Sequence, residues 1–162
     1  MVGHLVGSGK FRTAHQLVRK SLRNGLLASG AMALAVAASA PWLMRAFTRD
    51  PAVIQAAQTL LWISFALETG RVFNLVVLGA LRSTGDVIFP VSAALASLIL
   101  VLGFGSVVLG QLFGLVGIWI AYAADEWIRG AMMLWRWQTH GWVGYARAIQ
   151  QRLRSPGVES RF

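Results

Sequence analysis

Cysteine is absent from the 162 residues. That removes disulfides, CxxC-type zinc sites and thiol catalysis, and leaves the compartment open. Charge is scarce: 13% of the residues are Asp, Glu, Lys or Arg, against about 25% in a soluble domain. Acids are scarcer still, six against fifteen Lys and Arg. No Ser-His-Asp set, no H-E-x-x-H and no glycine-rich phosphate loop occurs, so no enzyme chemistry and no catalytic residue is expected. Gly7-Ser8-Gly9-Lys10 invites a phosphate-loop reading, but His4 stands where the first glycine belongs and Phe11 replaces the required Ser or Thr. His4 and His15 lack metal-ligand spacing, so both read as solvated side chains and no metal is expected. The chain has instead 56% hydrophobic residues and a mean hydropathy of +0.60. Its solvent is largely lipid, and the net charge of +9 matters through its placement; nucleic acid is not the expected partner.

The apolar runs divide the chain. Residues 1–21 read as a basic cytoplasmic loop leading into an amphipathic helix from about Phe11, without the long apolar segment of a secretory signal. The span region covers 22–135. Leu22–Leu43 is the first candidate span, rich in small residues that let membrane helices approach, with Pro41 and Trp42 at its far end. The second runs from about Ala52 to Leu81, started by Pro51 and ended by Arg82-Ser-Thr-Gly-Asp86, where Gly85 supplies the turn. Phe89–Leu109 is the third and Leu115–Trp135 the fourth, joined by a tight connection over Gly110–Gly114. Trp135, Trp137 and Trp142 read as an aromatic belt at the exit. Residues 136–162 form a basic cytoplasmic tail, part helix and disordered from Ser155. The fold class is an all-α membrane protein of about four transmembrane helices.

Sidedness follows from the cations. With four spans, eleven Lys and Arg at the two ends and at Arg82 share one face, against Arg45 and Arg49 on the other. That predicts both termini in the cytoplasm and a multi-pass protein of the plasma (inner) membrane.

Three acids, Glu68, Asp125 and Glu126, and two arginines, Arg71 and Arg129, remain at membrane depth, with Asn74 beside them. A charge there costs roughly 2.5–3.5 kcal/mol on insertion scales unless it finds a partner, a wet cavity or a proton. Glu68 and Arg71 are three apart on a helix, Asp125 and Arg129 four, Glu126 and Arg129 three, so each arginine can pair within its own helix. All five ionised sum to −1, which leaves one carboxylate for a cation or a proton. Two readings stand for Glu68, an ion- or proton-coupling group and a structural pair with Asn74 capping the network. For Asp125, Glu126 and Arg129 the structural reading is preferred. Trp62, Phe65 and Phe73 flank Glu68; packing or lipid contact is the preferred account, a pocket for a flat organic cation the other.

These residues carry a resemblance. Glu68-x-x-Arg71-x-x-Asn74, followed by Ala80-Leu81-Arg82-x-x-Gly85-Asp86-x-x-Phe89-Pro90, resembles the tenth helix and following loop of the multidrug and toxic compound extrusion (MATE) family. Gly114-x-x-Gly117-Ile118-Trp119, then Asp125-Glu126-x-x-Arg129-Gly130, is similar to that family's last helix, and Val2 to Phe11 to its loop between helices eight and nine. The resemblance covers Val2 to Trp142. It implies a twelve-helix, two-lobe transporter that exports organic cations, driven by H⁺ or Na⁺ entry, with no other cofactor. This chain would be its last four helices, and Glu68 an acid near the cation site of the second lobe. The resemblance does not fix Asn74 or Asp125 as ligands. Membrane lipid and the remaining transporter helices are the expected partners. The expected function is a C-terminal fragment of a multidrug antiporter, not transport-competent alone. The alternatives are a non-transporting fragment that only associates with other helices, and a piece of a lipid-linked sugar flippase. The flippase needs a cationic cavity, which the sum of −1 disfavours.

Overall fold

The computed structural model describes residues 2–154, and every regular element among them is helical. In order these are α1 (Val2–Gly7), α2 (Phe11–Phe47), α3 (Pro51–Ser83), α4 (Ile88–Ser97), a π-helical segment (Leu98–Phe104), α5 (Gly105–Gln138) and α6 (Val143–Arg154). Three stretches are long and apolar enough to cross a membrane: α2, α3 and the continuous 51 residues from Ile88 to Gln138. The last of these folds back on itself at Gly114, whose φ of 59° and ψ of −139° suit a residue without a Cβ. The reversal brings Gly105 against Ala121 and Gly110 against Ile118, and leaves no room for a Cβ on Gly117 beside the Leu109 carbonyl.

Several expected boundaries move. The basic lead and the first span are one helix of 37 residues, with no break near residue 22 and none at Pro41. Nothing between Phe11 and Ala40 stops a helix: Gly25 and Gly30 lie against Val72 and Thr69 of α3, where their small size is used. Pro41 removes one backbone donor, a loss that helices of this kind absorb. The segment read as a loop before Phe11 contains α1. The connection Gly110–Gly114 shrinks to Gly114 alone, because Gly110–Phe113 stays helical. In the tail, α5 continues to Gln138 and α6 occupies Val143–Arg154; the disorder expected from Ser155 concerns residues outside the described ones.

Other boundaries stand where the local chemistry put them. Asp50 caps α3 by accepting from the Ala52 backbone N–H at 2.9 Å, with Pro51 in the first turn. Gly85, at φ 85°, makes the turn after α3.

In the bundle α3 lies between α2 and α5, and α5 packs on its other side against α4 and the π segment. The α3–α5 crossing is close because it is made of glycines. A Cβ on Gly70 would meet the Trp127 indole at 2.8 Å, and one on Gly130 the Phe73 Cβ at 2.9 Å. The apolar core gathers at one end, where Val6, Ala14, Val18, Val77, Leu81, Met133, Trp137, Trp142 and Ala146 pack together. This corrects the aromatic belt. Trp137 and Trp142 are 2% and 0% exposed and stack at 4.6 Å, and only Trp135, at 60%, faces outward. The turn after α5 carries Trp142 back over Trp137, whose carbonyl accepts its indole N–H at 3.0 Å. His15 is half-buried rather than freely solvated: its ring lies 4.9 Å from Trp137 and 5.0 Å from His140.

The crossing makes a prediction. Gly130→Val should lower the thermal unfolding midpoint of the purified chain in detergent, at an overpacking cost of about 1–3 kcal/mol. Gly79→Ala, with open space around its Cβ, should leave the midpoint unchanged or raise it. An undisturbed midpoint in Gly130→Val would mean that the two helices do not meet there.

Candidate functional site

The five charges at membrane depth form one network where α3, α5 and α4 meet. The pairs within each helix are present. Arg71 Nη1 donates to Glu68 Oε1 at 2.7 Å on α3. Arg129 Nη2 reaches Asp125 Oδ2 and, at 3.2 Å, Glu126 Oε1 on α5. The links between helices were not readable from spacing. Asn74 Nδ2 on α3 donates to Glu126 Oε2 at 2.9 Å, and Arg71 Nε lies 3.8 Å from Glu126 Oε1. The Ser97 hydroxyl at the end of α4 donates to Asp125 Oδ1. Asp125 and Glu126, adjacent in sequence, thus point to different helices, and Arg129 joins them from one turn further on.

Burial grades the network. Asp125 is 1% exposed, Glu126 13% and Arg129 20%, while Arg71 and Glu68 stand at 43% and 39%. Ser97 and Asn74 are buried. Ser97 is also the last residue before the π segment, a local widening of the helix that often accompanies functional sites. Glu68 opens on a groove of about 240 Å³ between α2 and α3, lined by Ser29, Met32, Val36, Leu61 and Phe65. Of the flanking aromatics, Phe65 lines that groove, Trp62 is exposed and Phe73 packs on Trp127 at 5.3 Å.

The loop residues divide differently. Asp86 is fully buried and accepts from Arg136 Nε at 2.9 Å, while the Arg136 guanidinium lies 4.9 Å over the Phe89 ring. Asp86 therefore anchors the end of α5 to the start of α4. Gly85 shapes the turn. Arg82 is exposed and lines a second groove, of about 340 Å³, with Asn74, Leu78, Pro90, Leu98 and Arg129.

Two tryptophans complete the seam. Trp127 Nε1 donates to the Ala66 carbonyl at 2.8 Å and Trp119 Nε1 to Ser64 Oγ at 2.9 Å, both across from α5 to α3. An indole N–H in an apolar helix needs an acceptor, so their presence in the fourth apolar run was the available signal. Ser97 offered none, since a serine in an apolar helix more often bonds its own backbone. Among the described residues no three His, Asp or Glu side chains gather as metal ligands.

Membrane-length helices around a charged network make the chain an integral membrane protein. Comparison with known proteins narrows this. The MatE family profile matches residues 1–107, and the chain belongs to the MatE family. It is 36% identical over 148 residues to a Bacillus subtilis (strain 168) protein named as the uncharacterized transporter YisQ, a match that covers 88% of this chain and 32% of that relative. The chain thus spans about a third of the length of the curated relative it matches. Neither match is to an enzyme. No solved structure matches.

The burial gradient predicts unequal costs. Arg129→Gln strands the buried Asp125 and should cost about 3–5 kcal/mol. Arg71→Gln, at the exposed end, should cost about 1 kcal/mol or less. Asp125→Asn combined with Arg129→Gln should recover most of the larger loss. Denaturant unfolding of the three variants in the same detergent checks the order, and equal costs for the two arginines would contradict it.

Proposed function

We propose that this chain is the C-terminal part of a cation-coupled efflux antiporter and that Glu68 is its coupling acid. With the hairpin at Gly114 counted as two crossings the total is four, and the excess of cations at both ends then supports cytoplasmic termini in the plasma (inner) membrane. The observation that carries the reading is the charge of the network. Three carboxylates share two arginines, and the acid left with the weakest hold is Glu68, because Arg71 is also drawn toward Glu126. Glu68 is the network's exposed end and the only one of its acids on the α2–α3 groove. A proton or Na⁺ arriving there completes the charge balance. Releasing it strengthens the pull of Glu68 on Arg71, so the load on Asn74 and Glu126 changes with the state of Glu68. That is the differential interaction a coupled carrier requires to bias two helix arrangements.

Organic cations are the substrate class that fits. The groove beside Glu68 is apolar with a single carboxylate and one aromatic wall, Phe65. The remaining helices of the transporter supply the rest of the cavity, in keeping with the third of the relative's length that this chain covers. In the assembled transporter, Glu68→Gln should insert normally and lose ion-driven efflux of a cationic dye. Efflux at the unsubstituted rate would remove Glu68 from the mechanism.

A second reading keeps the chain in the membrane without transport. The groove is open on one side and four helices do not enclose it, which favours an associating fragment. Dye accumulation in an efflux-deficient host expressing this chain alone tests this second reading: lowered accumulation rules out an inert fragment.

A further inference from the structure

A different part of the molecule carries a site of its own. Among the described residues, the bundle end that holds the core also holds eight cations outside the network: Lys10, Arg12, Arg19, Lys20, Arg23, Arg82, Arg136 and Arg147. Among the described residues the acid at this end is Asp86, buried and already engaged by Arg136. The four basic residues Arg12, Arg19, Lys20 and Arg23 are exposed on the first turns of α2, and none pairs with an acid among the described residues.

Three of them, Arg19, Lys20 and Arg23, border two grooves that share Gln16, Arg19 and Leu22. One, of about 480 Å³, runs between the start of α2 and the end of α5, with His15, Gln138 and the Trp137 wall at its mouth and Leu22 and Leu134 deeper. The other, of about 620 Å³, continues the first along the outer face of α2 alone, past Arg19, Lys20 and Arg23 to Leu26. Leu26 lies seven positions beyond Arg19, about 10 Å along the helix at 1.5 Å per residue. Within that length the lining changes from guanidinium and amide to leucine. This is the polarity profile of a glycerophospholipid, with phosphate above and acyl chain below. Basic pockets between helices on the cytoplasmic side are suited to anionic headgroups.

We propose that the start of α2 and the end of α5 form a binding site for an anionic glycerophospholipid. Its phosphate sits among Arg19, Lys20 and Arg23, with Gln16 and Gln138 as neutral donors. Its acyl chains lie along Leu22, Leu26 and Leu134. Arg19 is the central contact, since it borders both grooves. The lipid fills the cleft where α2 and α5 diverge around α3, and so holds two elements that make few direct contacts. The site is independent of Glu68 and of transport.

The test uses the purified chain in detergent, titrated with phosphatidylglycerol, with phosphatidylcholine and with inorganic phosphate, and read by native mass spectrometry and by the unfolding midpoint. Phosphatidylglycerol should bind and raise the midpoint where phosphatidylcholine does not. Each of Arg19→Gln and Arg23→Gln should weaken it about fivefold, the contribution of one basic residue at an anionic surface. Arg45→Gln, at the opposite end, should leave it unchanged. Circular dichroism of the variants shows whether they fold, and all three positions are exposed. Equal binding of the two lipids, full binding to the Arg19→Gln, Arg23→Gln double variant, or the same midpoint rise with inorganic phosphate alone would each overturn the proposal.

Discussion

A carboxylate almost wholly withdrawn from solvent, as Asp125 is, has to be answered within its own structure. Hydrocarbon offers no water to share the charge, so each oxygen needs a donor. Asp125 has the Ser97 hydroxyl on one oxygen and Arg129 on the other. Meeting that demand fixes much else. Ser97 can reach Asp125 only if α4 and the lower half of α5 run side by side, which requires the reversal at Gly114. Asn74 can reach Glu126 only if α3 and α5 nearly touch, which requires Gly70 and Gly130 at the crossing. The short polar reach and the absent side chains are two aspects of one constraint.

The network is graded, and the grading assigns different work to its two ends. At Asp125 every contact is buried and geometrically determined, so the charges there hold α4 and α5 in register. At Glu68 the carboxylate is bound on one side and open on the other. A single chain of ion pairs can therefore be structural where it is buried and responsive where it is exposed. The middle members link the two ends: Arg71 contacts Glu68 and Glu126, and Glu126 contacts Arg71, Arg129 and Asn74. The coupling role proposed for Glu68 and the structural role preferred for Asp125 thus concern opposite ends of one network.

What the sequence made legible was local. Charges three and four apart on one helix pair because helical geometry places them together, and Glu68–Arg71 and Asp125–Arg129 follow from that alone. Asp50-Pro51 and Gly85 likewise carry their turns in their own chemistry. Contacts between helices depend on which faces meet, and no single spacing encodes that. Ser97 to Asp125, Asn74 to Glu126 and Asp86 to Arg136 all bridge separate elements. The tryptophans misled for a related reason. At the end of an apolar run an indole suits an interface equally well as a small core, and the choice depends on whether a later helix folds back over it. Here the turn after α5 brings Trp142 over Trp137, and both join the core. The helix ends shifted because breakers are weighed against packing: Pro41 costs one hydrogen bond, too little to stop a helix already committed over 30 residues.

The two faces of α3 are built on different principles, and this bears on where the molecule can move. Toward α5 it is tied by Asn74, by the acceptors of Trp119 and Trp127, and by glycines that interlock with aromatic rings. Toward α2, among the described residues, no side-chain hydrogen bond or ion pair crosses. Gly25 and Gly30 meet Val72 and Thr69 through van der Waals contact alone. Sliding α3 on α5 would break several directional bonds in a medium that offers no replacement. Sliding α2 on α3 exchanges one apolar contact for another and costs far less. The groove that exposes Glu68 lies on that second, permissive interface. The most exposed acid of the network therefore borders the seam of α3 with α2, which no directional side-chain bond crosses among the described residues, and the coupling role proposed for Glu68 draws on that placement.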